Sequence, residues 1–216
     1  MKKKLILGCT CCGAFILWTL LIQIIDVQDV GLNGTDIGFA TLNIWFHELT
    51  GVHMEIYTIT DWLGLVPILV CLYFAGLGLV QLIRRKSLLK VDRDIIFLGI
   101  YYVVVILGYL LFEMVSINYR PILIDGFMEA SYPSSTTLLV LSVMPTAVVQ
   151  GNRRLKNKIV QKVISSVVIA FSSFMVIGRM ISGVHWLSDI VGALLLGLGV
   201  FWLYVAAIEF GCRNDK

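Results

Sequence analysis

Two apolar runs, Val163-Ile-Ser-Ser-Val-Val-Ile-Ala-Phe-Ser-Ser-Phe-Met-Val-Ile177 and Ile190-Val-Gly-Ala-Leu-Leu-Leu-Gly-Leu-Gly-Val-Phe-Trp-Leu-Tyr-Val-Ala-Ala-Ile208, flank the segment Gly178-Arg-Met-Ile-Ser-Gly-Val-His-Trp-Leu-Ser-Asp189. The runs read as membrane helices. The segment between them brings together a guanidinium (Arg179), an imidazole six residues on (His185) and a carboxylate four further on (Asp189). Ionisable groups are costly to hold at a membrane, so such a cluster reads as a functional site by default.

The rest of the chain agrees with a membrane reading. Its 216 residues are 58% hydrophobic and 14% charged, with a mean hydropathy of +0.90, beyond the usual range of a soluble domain. A net charge of +3 gives no support for nucleic-acid binding. Length and flanking charge place six helical spans in one integral domain, residues 1–216: Leu5–Ile25, Trp62–Ile83, Ile95–Ile117, Thr137–Val149, Val163–Ile177 and Ile190–Ile208. The fourth is short and contains Pro145, so it is expected to borrow residues from Ser134 onward. Lys2–Lys4 precede an apolar run to Ile25 with no small-x-small site before Asp26, which reads as an uncleaved first span. The five cysteines show no zinc-ligand spacing with histidines and read as structural or lipid-facing thiols.

Charge sets the expected orientation. The N-terminus, the Arg84–Arg93 and Arg153–Lys162 loops and the C-terminus carry 15 of the 17 lysines and arginines, which puts them in the cytoplasm. Arg120 and Arg179 are the two exceptions, and His47, His53 and His185 fall on their side. The outer segment Asp26–Asp61 has no basic residue. Within it Phe39, Leu42, Phe46 and Leu49 recur at helical spacing after a Thr35 or Asp36 cap, as in a short interfacial helix covering the outer mouth.

Three outer segments carry chemistry-bearing residues: Glu113–Pro121, Tyr132–Thr137 and Arg179–Asp189. The planar fork of arginine suits phosphate, and Arg120 and Arg179 together could neutralise most of its charge. The plainer reading makes each an anchor of a helix end. Pro133-Ser-Ser-Thr136 reads as a helix start, whose N–H groups and dipole favour an anion; alone, it is equally an ordinary cap. His185 and Asp189 share one face if their segment is helical. A carboxylate on one ring nitrogen fixes the tautomer and leaves the other nitrogen free to attack; a structural His–Asp pair reads the same way.

Asn118-Tyr-Arg-Pro121, Tyr132-Pro-Ser-Ser135 and Arg179-x5-His185-x3-Asp189 resemble, in order and spacing, the three signature motifs of the type 2 phosphatidic acid phosphatase family. The resemblance implies an all-α, six-transmembrane-helix bundle that needs no metal or other cofactor. It implies a phosphorylated lipid as partner within the surrounding membrane lipids, dephosphorylated through a phosphohistidine. By position His185 would be the nucleophile, Asp189 its orienting partner, and Arg120, Arg179, Ser134 and Ser135 the phosphate binders.

Four positions depart from the family pattern. Glu113 stands where the first motif has lysine, Ser135 and Thr136 where the second has its glycine and its general-acid histidine, and Gly178 where a serine precedes the third motif's arginine. General acid catalysis contributes about 10² to 10⁴ in rate, so its loss favours a leaving group that is itself a phosphate, as in a polyprenyl diphosphate. Glu113, Thr136, His47 and His53 are the candidates for a substitute acid. The alternative is a protein that binds lipid phosphates without turning them over. Small size and short inner loops look like a bacterial plasma-membrane member with its site outside.

Overall fold

The computed structural model describes residues 1–212; the C-terminal basic residues Arg213 and Lys216, counted above for orientation, lie outside them. Eight α-helices follow in order: α1 (Lys2–Ile22), α2 (Ala40–Thr50), α3 (Met54–Leu63), α4 (Leu65–Arg85), α5 (Arg93–Met114), α6 (Ser135–Arg154), α7 (Lys158–Ile181) and α8 (Leu187–Gly211). Five stretches are long and apolar enough to cross a bilayer: α1, the Met54–Arg85 pair, α5, α7 and α8. With this composition they make the chain an integral membrane protein.

Six long helices form the expected bundle, and α6 differs from the other five in chemistry. Its 20 residues span about 30 Å. Its polar side chains keep it below the apolarity of the others, yet Thr137, Ser142, Thr146 and Gln150 are fully buried. They face helices and not lipid: Tyr102 shares a hydrogen bond with Thr146 (2.7 Å), and Gln150 Nε2 donates to the Tyr204 hydroxyl (2.8 Å). α6 is therefore the interior helix, packed by α4, α5, α7 and α8. Pro145 removes one helical N–H without ending it, and the span extends beyond both expected limits. At its C-terminal end the buried Asp94 carboxylate takes Arg153 Nε at 3.2 Å and Arg154 Nη1 at 2.8 Å. Lys4 and the N-terminal amine both pair with Glu209, tying α1 to α8.

Other boundaries moved for local reasons. The second expected span breaks at Gly64, whose N–H bonds back to Thr60 and Asp61, so a separate α3 precedes α4. That bend puts Asp61 in the last turn of α3, above the bundle. α2 exists as expected, but Thr35 and Asp36 do not cap it. Phe39 occupies the cap position in the left-handed region, and the Asp26 carboxylate accepts from Thr41 N–H at 2.7 Å. Hydrogen bonding to Thr41 and Gln28 holds the Asp26 carboxyl below its usual range. The inward face of α2 is small and polar. Ala40 and Asn43 are fully buried, while Leu42 and Leu49 face out with Trp45. In a bilayer that is the sensible choice: apolar side chains meet lipid, and the polar face meets α8.

Candidate functional site

The loop between α5 and α6 builds one wall. Asp125 and Gly126 both have positive φ (49° and 83°), the condition for a tight hairpin turn. The turn pairs Tyr119 with Ala130, Arg120 N–H with Glu129 O at 3.0 Å, and Ser131 N–H with Asn118 O at 2.9 Å. Arg120 and Glu129 thus lie across from each other, and Arg120 Nη2 meets the Glu129 carboxylate at 3.1 Å.

Arg179 comes from the last turn of α7, where the helix dipole favours a cation. It is 1% exposed. Its Nη2 donates to Asp61 at 2.9 Å and to Thr136 Oγ1 at 2.5 Å. Arg120 and Arg179 both lie over the Tyr57 ring, at 5.7 and 4.8 Å from its centroid; the ring's negative face helps two like charges share one neighbourhood. In each arginine Nε and Nη1 are buried without a partner. Unsatisfied buried donors are costly, and these partly engaged clamps suit an incoming anion.

Asp61, Glu113, Arg120, Glu129, Ser135, Thr136 and Arg179 share the lining of one cavity of about 980 Å³. Its other wall is apolar, with Leu65, Ile68, Ile106 and Leu110 from α4 and α5. The cavity thus presents charged groups on one side and apolar surface on the other.

His185 and Asp189 are not among the lining residues. They are buried next to it, held to Ser131 and Asn118 of the hairpin. The sequence allowed one helical face for this pair; instead α8 begins after His185, because Asp189 Oδ2 accepts from Trp186 N–H at 2.9 Å. A turn through Gly183, at φ 72°, brings the ring back. His185 Nδ1 lies 3.2 Å from Ser131 O and 3.8 Å from Asp189 Oδ2. Only the shorter contact is a hydrogen bond. A carbonyl can only accept, so Nδ1 carries the proton and Nε2 bears the lone pair. Nε2 is buried with no partner. Burial lowers the His185 pKa to about 4, against the pull of Asp189 and with further lowering from Arg120 and Arg179.

The remaining expected residues fall into two groups. Ser134 is fully buried and turned from the cavity: its hydroxyl donates to Thr137 at 3.0 Å and its N–H to Asp189 O at 3.2 Å, locking the α6 start to the α8 start. Among the proposed acids, Glu113 and Thr136 line the cavity and His47 and His53 do not. His47 Nε2 contacts Gly183 O at 3.1 Å, and His53 Nε2 contacts Thr50 O at 2.9 Å. Asn43, Tyr57, Asp61 and Glu129 were missed from sequence. Asn43 receives Ser188 N–H at 3.1 Å and donates to its hydroxyl at 3.0 Å, holding the α8 start. The Asp125-Gly126 turn signal was the available pointer to Glu129.

Gly178 has a packing reason. A Cβ there would lie 2.7 Å from Thr60 Cγ2, and Thr60 is fully buried. Gly178→Ser should cost about 1–3 kcal/mol by overpacking, read as a lower melting temperature in detergent. Thr60→Ser, which deletes only that methyl, should restore it; an unchanged melt for Gly178→Ser would contradict the contact.

The chain has the fold of a transmembrane PAP2 type phosphatidylglycerolphosphate phosphatase from Bacillus subtilis, with 17% identity, a TM-score of 0.60, and coverage of 96% of this chain and 98% of that one. No curated protein matches it in sequence. The sequence model of the PAP2 superfamily matches residues 107–210, just under half of the chain and the segment holding all three motifs, so the resemblance read from those motifs is borne out: over this segment the membrane protein is similar to the PAP2 superfamily.

Proposed function

We propose that this protein is a lipid phosphatase working through a phosphohistidine, with its site on the extracytoplasmic face. One observation carries the reading: an imidazole with Nδ1 fixed by Ser131 O and Nε2 bare, beside two buried arginines that each keep unpartnered N–H groups. Phosphate drawn onto Arg120 and Arg179 would pull them from their present contacts and uncover the ring. Nε2 then attacks phosphorus, the P–O bond to the lipid breaks, and the lipid oxygen takes a proton from solvent or an acid. Water next cleaves the P–N bond, releasing phosphate and restoring the imidazole. Arginine donors stabilise the charge that develops on the equatorial oxygens.

The placement of Thr136 supports the leaving-group argument. Its hydroxyl receives Arg179, and a threonine hydroxyl is a poor proton donor in any case. A leaving group that needs no protonation should therefore react faster. At saturation, phosphate release from a polyprenyl diphosphate should exceed that from phosphatidic acid by about 10²-fold. Equal rates would show that another acid serves, with Glu113, on the cavity wall, the first to test by Glu113→Gln.

A second reading, binding without turnover, is favoured by the same engagement of Thr136 and by the carboxylate at Glu113. Phosphate release together with a trapped phosphohistidine decides for catalysis; lipid phosphate bound without either decides for the second reading.

A further inference from the structure

The cavity's charge balance is unusual for a phosphate site. Two arginines face three carboxylates: Asp61, Glu113 and Glu129. Asp61 and Glu129 each occupy one Nη2 of an arginine. That leaves Nε and Nη1 of both arginines buried and unpartnered, a demand for an anion. Glu113 is the surplus charge. It lies in the last turns of α5, exposed on the same cavity, with Tyr109 one turn earlier beside it. A phosphate dianion placed on the arginines would share the cavity with Glu113, whose negative charge repels it.

A ligand with its own cation resolves this. Among the described residues no group of three or more His, Cys, Asp or Glu side chains could hold a metal ion, and the three carboxylates sit on different elements. That spacing suits an organic ammonium, which can meet one carboxylate through a directed hydrogen bond. We propose that the cavity takes a zwitterionic headgroup, a phosphate ester carrying a cationic amine, with phosphate on Arg120 and Arg179 and the amine against Glu113. The proposal rests on the lipid-phosphate reading and deepens it by naming the headgroup class. A bare diphosphate would then combine an easy leaving group with weak binding, so its KM should rise while its kcat stays high.

The test uses the purified full chain in detergent and two ligands of nearly equal size, O-phosphoethanolamine and n-propyl phosphate. They share the phosphate and differ by ammonium against methyl. Direct binding is measured by calorimetry, and competition by inhibition of lipid-phosphate hydrolysis. O-phosphoethanolamine should bind about tenfold tighter, as one added ion pair in a partly exposed site. The preference should fall to near unity in Glu113→Gln and reverse in Glu113→Lys. Equal affinities for the wild-type chain, or a preference that survives Glu113→Gln, would overturn the proposal and leave the phosphate reading standing. Failure of both ligands to bind or compete would overturn the phosphate reading and the proposal with it.

Discussion

His185→Ala should abolish phosphate release, by about 10⁴-fold or more, and leave no trappable phosphoenzyme, because removing a nucleophile removes the covalent route itself. Residual turnover near wild type would end the assignment. The pH profile tests the same residue without changing it. Burial holds the ring's pKa at about 4, so the imidazole is neutral and nucleophilic across pH 5–8. The acid limb of kcat/KM is therefore expected near pH 4, not near the ordinary histidine value of 6.5. Stability follows the same shift. Between pH 6.5 and about 4 the unfolded chain binds a proton that the folded chain refuses, so stability is lost as pH falls through that window. The full loss is about 3 kcal/mol. His185→Ala should melt with a weaker acid dependence than the wild type over this range; identical pH dependence would place the titration elsewhere.

The membrane class, the long helices and the identity of the arginines were legible in sequence because each rests on a local signal: apolar length, or a charge where none is expected. The site's assembly was less legible. Its contacts depend on where helices start and stop, and those limits are set by single hydrogen bonds. Asp189 was read as a partner for His185, yet its two oxygens are used first by Trp186 N–H and by Asn118, at 2.9 and 3.3 Å. Ser131 O, a backbone atom that no side-chain pattern reveals, holds the ring instead. Asp61 sat in an acidic outer segment with no visible partner, and the bend at Gly64 brought it to Arg179. α2 showed the apolar period of an interfacial helix, with Leu42 and Leu49 exposed, but its start is set by Phe39 in the left-handed region and not by Thr35 or Asp36. Gly178 looked like a lost serine and is a close approach of α7 to Thr60.

Arg179→Ala should lower kcat/KM for a lipid phosphate by about 10³-fold, at the upper end of what one oxyanion donor contributes. Two effects add. The guanidinium supplies charge-assisted donors to the phosphoryl oxygens, and its loss also leaves Asp61 as an unpaired carboxylate facing the same anion. The second part can be separated from the first. In the Asp61→Asn/Arg179→Ala double variant the repulsion is gone while the donors remain absent, so about tenfold of the loss should return. Arg179→Lys keeps the charge but loses the fork that serves Asp61, Thr136 and phosphate together. It should recover less than the double variant if donor geometry outweighs charge. A double variant no better than Arg179→Ala would mean that Asp61 is screened by solvent, consistent with its 57% side-chain exposure, and that the whole effect lies in the donors. Either result assigns the energy to named atoms, and only wild-type activity in Arg179→Ala would remove Arg179 from the site.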